Sequence, residues 1–304
     1  MLMKYTVIIP HKDSVDSLFR LIKTIPNRDD LEIVIVDNSK VPLKIDDLKL
    51  SYRTNIKIAY SDNTKGAGCA RNVGIRLSTG KWLLFADADD YYCESAFEIF
   101  DNYFNSDADI VYFACDSVYD DTLLPSNRHE EVNTIIQNVK NGILSEIQGR
   151  LYLVAPWAKM IKSDFVKNNR FCFDEVPAAN DIYFSTIIGY HAEKVIFEEK
   201  QVYVITTRKG SLSNRWNKTI LTSRYHVGLR RNLFLKNHNL SDYQISVMVY
   251  LYRAFRMSPI LFFRFLKDAF VYRQNIFVGW RNWLQTFKSI RYSNKKNNMY
   301  IVNN

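Results

Sequence analysis

An apolar run that ends abruptly in carboxylates constrains the fold of this chain more than any other stretch. The run Trp82–Phe85 is wholly apolar, and three aspartates follow it closely: Asp87, Asp89 and Asp90. Its length and composition are those of a buried strand. Carboxylates at the end of a buried strand are costly without a positive partner, and hard divalent cations prefer carboxylate oxygens. The stretch predicts a metal at Asp87 and Asp89, with an acidic turn that caps the next helix as the alternative.

Short apolar runs alternate with helical patterns in the N-terminal third of the chain. Besides Trp82–Phe85, the candidate strands are Tyr5–Ile9, Leu31–Val36 and Ile56–Tyr60. Strands that alternate with helices predict an α/β fold with a mostly parallel sheet. Because ligands bind outside the carboxyl ends of such strands, the polar residues that follow them are expected to converge on one edge.

Charge is distributed unevenly along the chain. The net charge is +9, but the segment from Arg208 to the end carries +16 and the remainder carries −7. This asymmetry predicts an acidic domain joined to a basic region that has an anionic partner. A membrane surface, phosphorylated substrates and nucleic acid all satisfy that charge. No recognised nucleic-acid-binding motif accompanies the charge, so we expect no nucleic-acid partner.

Large aromatic residues alternate with basic ones in the C-terminal region. Two helical patterns, Ile245–Met257 and Ile260–Val271, carry most of them. Basic helices with large aromatics are typical of an interfacial position on anionic lipid. The alternative is a helical subdomain that packs its aromatics on the core, and a mixed arrangement is a third possibility. No stretch of about 18 uncharged apolar residues occurs, so we expect no transmembrane helix, and no signal peptide is recognisable.

Four motifs, in order, resemble the family 2 glycosyltransferases, which have the GT-A fold. They are Val7–Pro10, Ile35–Ser39, Gly66–Ile75 and Gly80–Asp90. The resemblance covers roughly the first two-thirds of the chain. It implies a GT-A nucleotide-sugar-binding and catalytic domain over residues 1–215, followed by a basic aromatic helical region over residues 216–304. The chain departs from the family pattern at Asn38, where an aspartate is usual.

The resemblance implies a donor site for a nucleotide sugar, most simply a UDP-sugar. Asp37 would accept the N–H of the base, while Asp87 and Asp89 would reach the ribose and a Mn²⁺ or Mg²⁺ ion, with Asp89 the direct ligand. Such an ion would stabilise the diphosphate leaving group. A structural salt bridge is the alternative for Arg71. The residues predicted to contact the nucleotide sugar are Pro10, Asp37, Lys65, Arg71, Asp87, Asp89, Arg208 and Ser211.

The resemblance also implies an acceptor site. Asp181, in the first turn of a predicted helix, would be the general base that takes the proton of an acceptor hydroxyl. One base without a second carboxylate nucleophile implies a single displacement with inversion. Trp157, Lys159 and Asn180 are predicted to contact the acceptor. The alternatives are a simple helix cap at Asp181 and a core or edge position for Trp157.

Together these features predict a metal-dependent inverting glycosyltransferase whose acceptor is a glycan or a lipid-linked glycan. Such an enzyme would fit bacterial surface-polysaccharide assembly, and we expect a cytoplasmic protein held peripherally at the inner face of the cell membrane. One alternative is a non-catalytic GT-A-like module that binds glycan or acts as a scaffold. Another is a sugar nucleotidyltransferase, which should carry a glycine-rich basic first loop, whereas this chain has His11-Lys12-Asp13 there.

Overall fold

A computed structural model of the chain describes residues 2–48, 50, 53–208 and 216–278. The chain divides into two compact units, Met1–Arg215 and Trp216–Asn304.

The described residues of the first unit form an eight-stranded sheet with the order β3-β2-β1-β4-β7-β6-β8-β5. The strands are β1 (Tyr5–His11), β2 (Leu31–Asp37), β3 (Ile56–Tyr60), β4 (Trp82–Phe85), β5 (Tyr91–Tyr92), β6 (Ile110–Tyr119), β7 (Lys159–Lys162) and β8 (Val195–Thr207). β7 is antiparallel to both of its neighbours, β4 and β6, and β5 is antiparallel to β8, while the remaining pairs are parallel. The predicted α/β fold with a mostly parallel sheet is confirmed.

Helices cover both faces of this sheet. They are α1 (Val15–Lys23), α2 (Gly66–Leu77), α3 (Ala96–Tyr103), α4 (Glu130–Lys140), α5 (Glu146–Tyr152), α6 (Ser163–Asn168) and α7 (Ile182–His191). Successive side chains of a strand point to opposite faces, so β1 contributes Val7 and Ile9 to one core and Ile8 to the other. Burial on both faces explains why β1, β2 and β4 are largely apolar without alternation, whereas the edge strand β3 is only partly buried.

The apolar spacing at Ile135, Ile136, Val139 and Ile143 predicts one helix over residues 133–148, but the structure has two helices there. The segment contains the end of α4 and the start of α5, because Gly142 adopts a left-handed φ of +71° between them. Ser145 and Gln148 then form a capping box that begins α5. Both signals are local, and the apolar spacing at Ile135, Ile136 and Ile143 outweighed them in the prediction.

The second unit is helical within residues 216–278. Its helices are α8 (Lys218–Asn237), α9 (Met248–Met257) and α10 (Pro259–Val271). α8 lies within the region predicted to be helical, although no separate helical pattern was assigned to it, and Asn217 caps it by accepting a hydrogen bond from the amide of Ile220 at 2.9 Å. The core contains Tyr225 stacked on Phe265 with ring centroids 4.0 Å apart. The guanidinium groups of Arg224 and Arg253 lie 4.4 and 3.7 Å from the centre of the Trp216 ring.

The aromatic residues of α9 and α10 divide between the core and the surface. Phe265 is buried, whereas Phe263 and Phe270 are 66% and 87% exposed. Arg264 and Lys267 are exposed on the same helix. Among the residues that the structure describes, no helix combines the length and apolar character needed to span a membrane. The predicted aromatic and basic positions from Trp280 onwards lie outside the described residues.

Candidate active site

The carboxyl ends of β1, β2 and β4 meet at one edge of the sheet. β1 lies between the other two strands, and its last residue, His11, is opposite Asp37 in β2. On the other side, the amide of Ala86 donates to the carbonyl of Ile8 at 3.1 Å, which extends the pairing just beyond β4. Asp37 and the aspartates that begin at Asp87 therefore flank the end of β1, as the sequence predicts.

Asp37 is buried and held by four hydrogen bonds. Its Oδ1 accepts from His11 Nδ1 at 2.9 Å and from the hydroxyl and amide of Ser39 at 2.7 and 3.2 Å. Its Oδ2 accepts from the amide of Leu43 at 2.8 Å. Burial raises the pKa of Asp37, but the hydrogen bonds outweigh that effect and leave the pKa below its usual value. The carboxylate is thus ionised and held in place. Oδ2 accepts one hydrogen bond and Oδ1 accepts three, so Oδ2 is better able to accept a further hydrogen bond from a ligand.

Asp90 anchors the turn that carries the other two aspartates. It is buried, and its carboxylate accepts from the amide of Thr206 at 2.7 Å and from the Tyr203 hydroxyl at 3.0 Å. The same hydroxyl accepts from the amide of Asp87 at 2.9 Å. Burial and the charges of Asp87 and Asp89 raise the pKa of Asp90 well above its usual value. This fixes the turn against β8 and leaves the other two side chains about one-third exposed (34% for Asp87, 30% for Asp89).

Asp89 lies close to basic groups from other parts of the chain. Its Oδ2 is 3.1 Å from the Arg208 guanidinium, and its backbone carbonyl accepts from Arg20 at 2.7 Å. Burial and the charge of Asp87 raise the pKa of Asp89, while the charges of Arg208 and Arg128 oppose that rise. The carboxylate therefore lies in a site where an additional positive charge would stabilise its ionised form.

The donor set of this turn fits a hard divalent cation whose other ligands come from a bound phosphate. No group of three or more His, Cys, Asp or Glu side chains in the described part of the chain is arranged to hold a metal alone. Mg²⁺, however, is commonly held by one or two carboxylates together with substrate phosphates. Asp87 and Asp89 provide two partly exposed carboxylates, and burial together with the charge of Asp87 raises the pKa of Asp89.

Arg71 connects this turn to the segment that precedes α7. One of its terminal nitrogens donates to Asp87 Oδ1 and the other to Asn180 Oδ1, both at 2.6 Å. The guanidinium is buried and lies 5.3 Å from the centre of the Phe173 ring. A planar group with donors in a fixed fork holds two acceptors in one geometry. Arg71 therefore fixes the position of Asp87 relative to Asn180 and its neighbour Asp181.

Asp181 is the residue that precedes the first turn of α7. Its backbone carbonyl accepts from Ser185, but in the described structure its side chain makes no capping hydrogen bond. Burial of the carboxylate raises the pKa of Asp181; Arg71 and Lys159 oppose this rise, and Asp87 adds to it. A carboxylate that has a raised pKa and does not cap the helix is able to accept a proton.

α2 packs closely against the segment that leads into α7 and fixes its position. A Cβ on Gly68 would lie 2.0 Å from the carbonyl oxygen of Asp174, so only glycine permits this approach. One turn further along, the Asn72 side chain donates to the carbonyl of Phe173 at 3.0 Å and accepts from its amide at 2.8 Å. Ala179, just before Asn180, has a left-handed φ of +61°, a strained conformation for a non-glycine residue that this packing maintains.

Trp157 lies on the loop that leads into β7, and Lys159 is the first residue of that strand. Trp157 stacks on Tyr203 with ring centroids 5.7 Å apart and an interplanar angle of 7°. Lys159 is buried, and its Nζ donates to the carbonyl of Leu153 at 2.6 Å. Burial lowers the pKa of Lys159 to about 7, which the charge of Asp181 partly opposes.

Comparison with known proteins identifies the family. The model of "Glycosyl transferase family 2" matches residues 6–158, just over half of the 304-residue chain. This chain belongs to glycosyl transferase family 2. The predicted resemblance is therefore confirmed, and the matched range contains Asp37, Arg71, Asp87, Asp89 and Trp157.

Individual relatives are distant. Glycosyltransferase GlyA of Streptococcus pneumoniae is 24% identical over 233 residues, 71% of this chain and 32% of that protein. A poly(ribitol-phosphate) beta-glucosyltransferase of Bacillus spizizenii is 24% identical over 217 residues, 68% of this chain and 33% of that protein. The chain thus spans about a third of the length of these curated relatives.

A solved structure confirms the predicted GT-A fold. The crystal structure of Staphylococcus aureus TarS residues 1–349, in complex with UDP-GlcNAc, superposes with a TM-score of 0.62 at 19% identity. The superposition covers 85% of this chain and 74% of that one.

Three other residues, Pro10, Lys65 and Ser211, were predicted to contact the nucleotide sugar. Pro10 lies near the end of β1, opposite Val36. Lys65 forms an ion pair with Glu175 at 3.0 Å. Ser211 lies outside the described residues, and the contacts of all three with a nucleotide stay predictions.

Sequence reasoning gave no role to several residues that build this site. His11, Tyr203 and Arg20 were not among the predicted contacts. His11 lies two residues after the first apolar run, beyond Pro10, so its position near a strand end resembles that of Asp37 and Asp87. Tyr203 and Arg20 lie inside a strand and a helix, and no local pattern connects either of them with the aspartates.

Proposed function

We propose that this chain is a glycosyltransferase that moves a sugar from a UDP-sugar to a hydroxyl group of an acceptor. The observation that carries the proposal is the pair of hydrogen bonds from Arg71. Through them, one buried guanidinium joins a carboxylate of the donor edge, Asp87, to the residue beside Asp181. Family membership and the fold shared with a structure that contains UDP-GlcNAc support the same function.

The donor would lie along the edge formed by β1, β2 and β4. In this proposal Asp37 accepts the N–H of the base through Oδ2, and Asp87 lies near the ribose. Arg208, now 3.1 Å from Asp89, contacts the diphosphate once that ion pair opens. A Mn²⁺ or Mg²⁺ ion held by Asp89 and Asp87 would supply positive charge to the departing UDP.

Transfer requires a group that accepts the proton of the acceptor hydroxyl, and we assign that role to Asp181. As the acceptor oxygen forms its bond to the anomeric carbon, the bond from that carbon to the UDP oxygen breaks. The hydroxyl proton passes to Asp181, and UDP leaves with the bonding electron pair. With one carboxylate in the role of base and none as a nucleophile, the displacement is single and inverts the anomeric carbon.

The acceptor class is inferred from names and charge. The Bacillus spizizenii relative and TarS are named as glycosyltransferases that act on poly(ribitol-phosphate). We infer an acceptor of related type, a glycan or lipid-linked glycan, with Trp157, Lys159 and Asn180 near its reacting end. The exposed aromatic and basic side chains of α10 support attachment to an anionic membrane surface, which would place the enzyme at the cytoplasmic face.

The test is a panel of nucleotide sugars incubated with the full chain and Mg²⁺ or Mn²⁺, with release of each nucleotide measured. We expect release of UDP from at least one UDP-sugar and little release from GDP-sugars. Asp37→Ala should abolish the preference for uridine. A chain that binds glycans but releases no nucleotide from any donor would be a binding or scaffold module. Release of pyrophosphate from UTP and a sugar phosphate would identify a nucleotidyltransferase. Either of these results overturns the proposal.

A further inference from the structure

The first unit contains a cavity of about 230 Å³ between β6, α4 and the segment 152–159. Its lining is mostly apolar and aromatic, and Phe113, Val132, Ile135 and Trp157 are part of it. Its charged residues are Arg128, Glu131 and Lys159, of which Lys159 is buried and the other two are exposed.

Residues that line this cavity are connected to the candidate active site on several sides. Lys159 is close enough to Asp181 for each charge to affect the other's pKa. The charge of Arg128 lowers the pKa of Asp89. The carbonyl of Val154, another lining residue, accepts from Ser185 of α7 at 2.6 Å. The cavity therefore lies beside both the base and the donor turn.

The lining has hydrogen-bonding capacity that the protein itself does not use. An ammonium group has three donors, and the described structure gives Lys159 Nζ one hydrogen bond, to Leu153, and a position 5.1 Å from the centre of the Tyr112 ring. The hydroxyl of Tyr112, whose side chain also lines the cavity, is buried and has no partner among the described residues. Buried polar groups normally have partners, so these two groups indicate that a ligand supplies the missing ones.

Size and chemistry narrow the ligand class. The volume lies below the roughly 300–1,000 Å³ of pockets that hold drug-sized ligands, so a single small ring fits better than an oligosaccharide. A pyranose presents an apolar face to aromatic walls and hydroxyl groups to an amine and a phenol. An alkyl chain would leave the Tyr112 hydroxyl and the remaining donors of Lys159 without partners. A phosphate group would face Glu131 as well as Arg128.

We propose that this cavity binds one monosaccharide unit of the acceptor, with Lys159 donating a hydrogen bond to one of its hydroxyl groups. The proposal rests on the function given above and extends it, because it makes recognition of the acceptor depend on a sugar ring held between α4 and the segment 152–159. Val132 and Tyr112 then contribute to acceptor specificity, a role that the sequence did not indicate.

Two matched variants on α4 test this site. Val132→Trp fills the cavity, whereas Thr134→Trp adds a tryptophan of the same size at an exposed position two residues away that does not line it. Binding of a panel of methyl glycosides is measured by saturation-transfer NMR in the presence of UDP and Mg²⁺. We expect the wild type and Thr134→Trp to bind the same glycoside, and Val132→Trp to bind it at least tenfold more weakly. All three proteins should bind UDP equally.

Three further variants address the hydrogen bonds and any failure of Val132→Trp to fold. Lys159→Met keeps the length of the side chain but removes its donors, and Ala155→Leu narrows the cavity from the loop. Both should weaken glycoside binding at least tenfold, and Tyr112→Phe should weaken it to a smaller extent. Equal glycoside binding by the wild type and all four cavity variants overturns the proposal, as does cavity-dependent binding of an isoprenyl phosphate with no glycoside bound.

The outcomes separate this proposal from the proposed function. If a UDP-sugar releases UDP but no glycoside binds in a way that depends on Val132, the transferase stands and the cavity proposal is wrong. If a glycoside binds in that way but no nucleotide sugar is turned over, the sugar site stands and the transferase is wrong.

Discussion

Asp87, Asp89 and Asp90 share one short turn, yet each carboxylate has a different partner. Asp90 is buried against Tyr203 and Thr206, Asp87 is bound by Arg71, and Asp89 faces Arg208. The buried member fixes the turn, and the two partly exposed members remain able to contact a ligand. A difference in burial and partners, rather than in residue type, thus separates a structural aspartate from two candidate ligands.

Removal of the Asp89 carboxylate tests the metal assignment. We predict that wild-type UDP binding requires Mn²⁺ or Mg²⁺ and that Asp89→Ala weakens it by about tenfold to a hundredfold, the loss of one strong charge-assisted contact. The matched control is Asp121→Ala, at an exposed aspartate on the loop after β6. Calorimetry should give unchanged UDP affinity for the control. Equal affinity of the wild type with metal and with chelator would show that Asp89 holds no cation.

The stability of Asp181 variants distinguishes a base from a helix cap. Burial raises the pKa of Asp181, so its ionised form is less favourable in the folded state than in the unfolded chain. Its contribution to stability therefore falls as pH rises above the unfolded value of roughly 3.9, and Asp181→Asn should melt at the same or a higher temperature at pH 7.

Asp181→Ala provides the contrast with a genuine cap. Because the described structure contains no capping hydrogen bond from Asp181, this variant should lose little stability. Ser145→Ala, which removes one half of the capping box of α5, should lose about 1 kcal/mol. A similar loss in both alanine variants, from thermal melts, would support the cap instead.

At the scale of elements, side chains of one helix, α2, hold the two halves of the candidate site together. Gly68 admits the carbonyl of Asp174, Arg71 binds Asn180 and Asp87, and Asn72 binds the backbone of Phe173. One helix thereby fixes both the end of β4 and the start of α7. A small displacement of α2 would change the distance between donor and base.

Replacement of Arg71 by lysine tests this positioning role. Lysine keeps the positive charge but lacks the planar fork that reaches two acceptors at once. We predict that Arg71→Lys lowers kcat by at least tenfold with less than a threefold change in KM for the donor. Arg71→Met should lower kcat further. Steady-state kinetics with a fixed acceptor provides both constants, and a change confined to donor KM would make Arg71 a nucleotide contact instead.

The sequence predicted strand ends better than the contacts between distant segments. Asp37 and Asp87 could be predicted because an apolar run and the polar residue that follows it are adjacent in the chain. The bond between Arg71 and Asn180 joins residues 109 positions apart, so no local pattern reveals it. No separate helical pattern was assigned to α8 because its apolar residues are spread around the helix instead of forming one apolar face.

At the scale of the whole chain, charge separates the two units. The basic C-terminal segment presents exposed apolar side chains on α10, at Ile260, Phe263 and Phe270, next to exposed Arg264 and Lys267. Aromatic and basic groups on one helix surface are typical of binding at an anionic lipid interface. The remaining aromatics of α10, Phe262 and Phe265, pack into the core of the second unit. Contact of the exposed aromatics with lipid stays a prediction.

Reversal of one charge on α10 tests the membrane proposal. Each basic residue near an anionic surface contributes about 1 kcal/mol, so Lys267→Glu should weaken binding to phosphatidylglycerol vesicles by roughly tenfold or more. Lys200→Glu, the same change at an exposed lysine of β8, is the matched control and should bind like the wild type. Sedimentation with vesicles should also show weaker binding as salt rises. Equal binding to neutral and anionic vesicles would contradict the electrostatic attraction.

The most direct measurement of the central claim is the rate of sugar transfer from a UDP-sugar by Asp181→Asn, compared with the wild type at equal UDP affinity. Asparagine keeps the shape of the side chain but cannot accept the acceptor proton. We predict that transfer falls by about 10²–10⁴-fold, the usual contribution of a general base, while UDP binding is unchanged. Transfer by Asp181→Asn at a rate close to that of the wild type would contradict the assignment of Asp181 as the base.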